Sequence, residues 1–78
     1  MNTETMKYKN ILQDCHRWDF EIDLRATRHG YKIIWVQNIA DPYGQDMKCG
    51  TFDARNYQDA RQQVTDWMAS IGAVKNHD

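Results

Sequence analysis

"WDFEIDLRATRHGYKIIWV", residues 18–36, decides the fold class. Trp18, Phe20, Ile22, Leu24 and Ala26 alternate with Asp19, Glu21, Asp23, Arg25 and Thr27. That period of two sends successive side chains to opposite faces of a sheet. One face is apolar and the other charged, as in an antiparallel strand with one wet side. His29 and Gly30 then read as a two-residue turn, since Gly takes positive φ at little cost and His enters the left-handed region more readily than most residues. A hairpin closed there sets Arg28 opposite Tyr31, Ala26 opposite Ile33 and Leu24 opposite Trp35. Even positions of the first strand and odd positions of the second share the core face. Ile34 and Val36 fall on the other face, beside Asp23 and Arg25, and Gln37 lands among apolar positions as a misfit.

Upstream, Tyr8, Ile11, Leu12 and Cys15 follow the i, i+3, i+4, i+7 spacing of one helix face, which predicts a first helix over residues 4–15. Downstream, "ADPYGQD" places Pro42 and Gly44 at the second and fourth positions of a β-turn, leading to a third antiparallel strand over residues 46–52. Within that strand Gly50 marks a bulge or a close approach. "GTFDARNYQDARQQVTDWM", residues 50–68, then turns from strand into helix. Asn56 is placed to cap it and Asp59 lies near the positive end of its dipole. Tyr57, Ala60, Val64, Trp67, Met68 and Ile71 form its apolar stripe, and Gly72 ends it. Trp67 is expected against Phe20, Leu24 and Trp35, with Trp18 also in the core.

The predicted class is α+β, in the order α-β-β-β-α, with a three-stranded antiparallel sheet and the C-terminal helix packed on one face. Residues 1–78 read as a single domain whose polar ends, "MNTET" and "KNHD", fray. The first helix either shares the side of the second or crosses to cover Ile34 and Val36.

A chain of 78 residues lies near the size at which burial only just outweighs chain entropy, with no room for a second domain or an ordinary catalytic cleft. With 41% hydrophobic residues and one proline the composition is globular. Ten Lys and Arg against eleven Asp and Glu give a net charge of −1, so no long-range basic field draws the chain to nucleic acid or an anionic membrane. Two cysteines are too few for a secreted disulfide scaffold, and residues 1–5 lack the apolar core of a signal peptide, so a reducing cytoplasm is the expected compartment. The longest apolar stretch, "YKIIWVQNIA", is far below the ~20 residues that span a bilayer.

Cys15 and His16 are adjacent, and neighbours on a helix point about a hundred degrees apart, so they do not form a nucleophile and base pair. Cys15 reads as a small core residue and His29 as a turn residue. The two Cys and three His lack the short paired spacing of a zinc site. Asp19, Glu21 and Asp23 line one strand face, but catalytic carboxylates need a cleft that drives their pKa values apart and seats a substrate. No catalytic residue, metal or cofactor is expected. The row is either a solvated strand face or a protein-binding surface with Ile34 and Val36 as its water-excluding centre.

Residues 46–68, with a sheet closing on "GTFDARNYQDARQQVTDW", resemble the arm-binding N-terminal domains of phage integrases. That resemblance implies a sheet face inserted in a DNA groove, whereas here the face carries Asp19, Glu21 and Asp23. The α-β-β-β-α order is similar to that of double-stranded RNA-binding domains, without their basic cluster at the last helix: only Arg55 and Arg61 lie near it. In length, near-neutral charge and build the whole chain resembles the small phage-encoded anti-CRISPR proteins. This implies a stoichiometric inhibitor, cytoplasmic in the host cell, that occupies a basic nucleic-acid-binding surface on a host protein or ribonucleoprotein complex through Asp19, Glu21, Asp23, Ile34 and Val36. The alternative is a nucleic-acid-binding module using Arg25, Arg28, Lys32, Lys48 and Arg55, and a third class is a homodimer paired through a sheet edge.

Overall fold

Four long strands follow one another in the computed structural model, which describes residues 3–13, 16–41 and 44–75, and side chains within 3–9, 19–39 and 46–75. They are β1 (Thr3–Gln13), β2 (His16–Thr27), β3 (Gly30–Asp41) and β4 (Gly44–Ala54), succeeded by α1 (Tyr57–Ser70) and a short β5 (Ala73–Lys75). The strands form one antiparallel sheet in the order β4-β3-β2-β1-β5, with α1 on one face. The α-β-β-β-α order with three strands is therefore overturned: the chain runs β-β-β-β-α-β around five strands and one helix. No helix among the described residues is long and apolar enough to cross a membrane.

The first element is the largest correction. Residues 3–13 are strand, not helix, and Cys15 lies outside the described residues. Met6 stands opposite Ile22 and Tyr8 opposite Phe20, on the helix-covered face, while Lys7 stands opposite Glu21 and Lys9 opposite Asp19 on the other. Both faces of the pairing are thus matched, apolar to apolar and charge to countercharge, and this non-local match outweighs a weak local helix preference. The terminal residues Thr3, Glu4 and Thr5, predicted to fray, are already in β1, and Lys75 is in β5.

In β2, Phe20, Ile22 and Leu24 are buried as the alternation predicts. The hairpin register, however, is displaced by two residues: Leu24 faces Ile33, Ala26 faces Tyr31, and Thr27 pairs with Gly30. The turn is thus Arg28–His29, and the only positive φ there belongs to Gly30, at +146°. A Cβ on Gly30 would lie 2.5 Å from the Ala54 carbonyl oxygen and 2.9 Å from that of Arg55, so the strand entry needs glycine both for its dihedral and for space. A displacement of two preserves parity, so the face assignments survive it. Gln37 stays half-buried, opposite Phe20 and Lys48.

The third predicted strand lengthens to Gly44–Ala54, and Asp41 pairs with Gly44 across the reversal. Gly50, opposite Trp35, is a close approach: a Cβ there would come within 2.7 Å of the Trp35 ring. The indole lies over the glycine backbone, stacks on Phe52 at 6.4 Å and meets Trp67 edge-on at 5.3 Å.

The helix starts where its capping residues allow. The Asn56 side chain accepts from the Asp59 N–H at 2.8 Å, and the Asp59 carboxylate accepts in turn from the Arg55 N–H at 2.9 Å. Gly72, at φ +75°, closes the other end with its N–H on the Ala69 carbonyl. Ala60, Val64 and Met68 are buried against Met6, Phe20, Ile22, Leu24, Ile33 and Ala54. Trp67 packs edge-on to Phe20 at 5.5 Å and to Phe52 at 5.5 Å. At the first turn Tyr57 donates to Glu4 at 2.5 Å, and Arg61 donates to Glu4 at 3.3 Å and to the Tyr57 hydroxyl at 3.1 Å, tying α1 to β1. These partners, Tyr57 foremost, hold the Arg61 guanidinium above its ordinary pKa. After Gly72 the chain returns to the sheet, and Ala73–Lys75 pair with Tyr8–Asn10.

Candidate protein-binding face

The helix side of the sheet is occupied, so the opposite side is the extended surface left for contact. Its composition follows from register. Odd residues of β1 and β2, even residues of β3 and odd residues of β4 point there, which sets four columns side by side. Across the sheet one row reads Thr51, Ile34, Asp23, Thr5; the next Cys49, Val36, Glu21, Lys7; the third Met47, Asn38, Asp19, Lys9. Directly opposed side chains in such rows lie about 4.5–5.5 Å apart at Cβ.

Asp19, Glu21, Asp23, Ile34 and Val36 therefore share one face and are immediate neighbours: Asp23 stands opposite Ile34 and Glu21 opposite Val36. Ile34 and Val36 are half-buried by their flanking columns, and no described element lies over them. Asp23 accepts a hydrogen bond from the Thr5 hydroxyl at 2.7 Å. At the hairpin end Lys32 pairs with Asp53 at 3.7 Å, an exposed contact that contributes little to stability.

Two parts of the face are not anticipated by the isolated hairpin. Lys7 and Lys9, once β1 is a strand, form a cationic column beside the carboxylates, so the face is striped in charge and not uniformly acidic. Met47, 64% exposed, and Cys49 extend the aliphatic column of β3 onto β4. The face thus has an apolar strip, Ile34, Val36, Cys49 and Met47, on β3 and β4, ended by the Lys32–Asp53 pair, beside charged columns on β1 and β2. The alternation Thr5, Met6, Lys7, Tyr8, Lys9 is the sequence signal that carries the first of these features.

The basic residues of the nucleic-acid alternative do not form one cluster of five: Arg25 and Lys32 are cross-strand neighbours, and the other three lie on other parts of the molecule. Arg25 and Lys32 are on the open face, Arg28 is in the turn, Lys48 points to the helix side of β4, and Arg55 follows β4. On the helix side, an open groove of about 320 Å³ is lined by Ile33, Phe52, Gln63, Val64, Asp66 and Trp67. Among the described residues that line it, Asp66 is the one carboxylate, and it accepts a hydrogen bond from Gln62. Among the described residues no three His, Cys, Asp or Glu side chains converge as a metal site would require. No family model, no curated protein and no solved structure matches this chain.

Proposed function

We propose that this chain is a non-enzymatic protein-binding module that docks through its open sheet face. In this reading it acts as the small phage-encoded anti-CRISPR inhibitors do, occupying a basic, nucleic-acid-binding surface of a host defence complex. The observation that carries the proposal is the placement of Ile34 and Val36 beside Asp23 and Glu21 on a face that no described element covers. Branched aliphatics exclude water at a contact centre, and the carboxylates next to them select Lys and Arg on the partner. Because Lys7 and Lys9 flank Glu21 and Asp19, attraction at long range is small, and complementarity operates at contact distance.

A second reading, nucleic-acid binding, draws on Lys7, Lys9, Arg25 and Lys32 sharing that face. One experiment separates the two. Immobilised wild-type protein is expected to retain a host ribonucleoprotein complex identifiable by mass spectrometry. The Asp19→Lys, Glu21→Lys, Asp23→Lys variant should lose it while keeping its circular dichroism spectrum. Equal retention by that variant removes the acidic column from the proposal. Direct binding of a labelled duplex, weakening steeply as salt rises, would favour the second reading.

A further inference from the structure

The two edges of the sheet are finished differently. β5 pairs with part of β1 at one edge, whereas β4 has β3 on one side and no described strand on the other. β4 is an eleven-residue strand, and every side chain from Asp46 to Asp53 except the Gly50 position is exposed. Both of its flanks carry apolar groups: Met47 and Cys49 on the open face, and Phe52, 45% exposed, on the helix side. Sheets ordinarily cover, shorten or charge such an edge; β4 is long and uncovered by any described strand, and its charges, Asp46, Lys48 and Asp53, are of both signs and so do not repel a second copy of itself uniformly.

The hairpin fixes which backbone groups are free. In a two-residue hairpin the loop-closing pair, here Thr27 and Gly30, exchanges hydrogen bonds; the antiparallel ladder alternates from there, so even-numbered residues of β3 bond to β2 and odd-numbered ones to β4. Even-numbered residues of β4 therefore bond to β3. The N–H and C=O groups of Met47, Cys49, Thr51 and Asp53 point outward.

We infer that β4 pairs antiparallel with β4 of a second copy, across a two-fold axis normal to the sheet near Gly50, to make a ten-stranded sheet with both helices on one side. The second copy supplies what this edge lacks: a free strand of equal length with apolar side chains on both flanks. β4 also carries both signs of charge, Asp46 and Asp53 with Lys48, so it favours neither a uniformly acidic nor a uniformly basic foreign strand. An axis on Gly50 sets Cys49 opposite Thr51 and Lys48 opposite Phe52, an ammonium against an exposed aromatic ring, twice by symmetry. It also sets glycine opposite glycine, so no side chain is driven toward the Trp35 indole packed there. The dimer joins the two open faces into one continuous surface.

Sedimentation velocity in reducing buffer, from micromolar to near-millimolar protein, tests this. Wild type is expected to shift from monomer to dimer over that range. Thr51→Pro removes an outward N–H and no bond to β3, so it should stay monomeric with an unchanged circular dichroism spectrum. Should the proline impair folding, Cys49→Lys with Thr51→Lys places like charges across the axis in any register centred near Gly50, at two exposed positions, and should also be monomeric. A wild type that stays monomeric at the highest concentration, or a folded variant that dimerises as wild type does, overturns the inference.

Discussion

Gly30→Ala isolates the hairpin geometry in a single methyl group. The glycine has φ +146°, and its added Cβ would sit 2.5 Å and 2.9 Å from two backbone carbonyl oxygens, of Ala54 and Arg55, neither of which is the free end of a flexible side chain. Holding a non-glycine residue in that dihedral region costs about 1–3 kcal/mol. Relieving overlap with fixed backbone costs about another 1–3 kcal/mol. The loss of unfolded-state freedom returns about 0.4–1 kcal/mol, leaving a net destabilisation of about 1–6 kcal/mol, centred on about 3 kcal/mol. A domain of this length has on the order of 4–12 kcal/mol in total, so the variant should lose a large share of it, with a melting temperature lower by about 10 °C or more. Thermal and urea unfolding followed by far-ultraviolet circular dichroism measure this directly. His29→Ala is the control. His29 is exposed in the turn with no positive φ and should cost less than about 0.5 kcal/mol. A neutral Gly30→Ala would refute both the positive φ at Gly30 and its close approach to the Ala54 and Arg55 carbonyls.

Trp67→Ala removes the ring that Phe20, Trp35 and Phe52 all meet within 5.5 Å, and urea unfolding should show a loss of about 3 kcal/mol or more. Gly50→Ala drives a methyl into the Trp35 ring and should cost about 1–2 kcal/mol, with a changed tryptophan emission spectrum; equal stability would contradict the close approach. Asp59 has its pKa held below the ordinary carboxylate value, first by the hydrogen bond from the Arg55 N–H and further by Gln63 and the Arg55 charge, against the opposing effect of desolvation. A depressed carboxylate stabilises the fold above its unfolded pKa of about 3.9, and that contribution is lost as pH falls through the folded value. Melting temperatures of wild type should therefore fall more steeply below about pH 4 than those of Asp59→Asn, and parallel curves would refute the capping role.

What the sequence made legible was local. The faces of β2 and β3 follow from strict alternation, and α1 follows from the Asn56 cap, the apolar stripe and Gly72, all within a few residues of one another. The five face residues are assigned correctly to one surface because parity alone places them, whatever the register. β1 was not legible as a strand. Tyr8, Ile11, Leu12 and Cys15 fit a helical period while Met6 and Tyr8 fit a period of two, and only the partner strand, with Ile22, Phe20, Glu21 and Asp19 at matching positions, decides between them. For the same reason Lys7 and Lys9 went unseen as part of the face. The hairpin register failed on a narrower point: a glycine with positive φ serves as well at the first strand residue as inside the turn. β5 has three residues and is defined only by its contact with β1.

Ile34→Lys combined with Val36→Lys probes the open face most directly, because it should remove binding while sparing the fold. Among the described residues their neighbours are those of the sheet, so unfolding stability should change by about 1 kcal/mol or less per site while retention of the partner complex is abolished. A loss of fold would mean that a further layer covers these residues, and undiminished retention would place the contact elsewhere on the molecule.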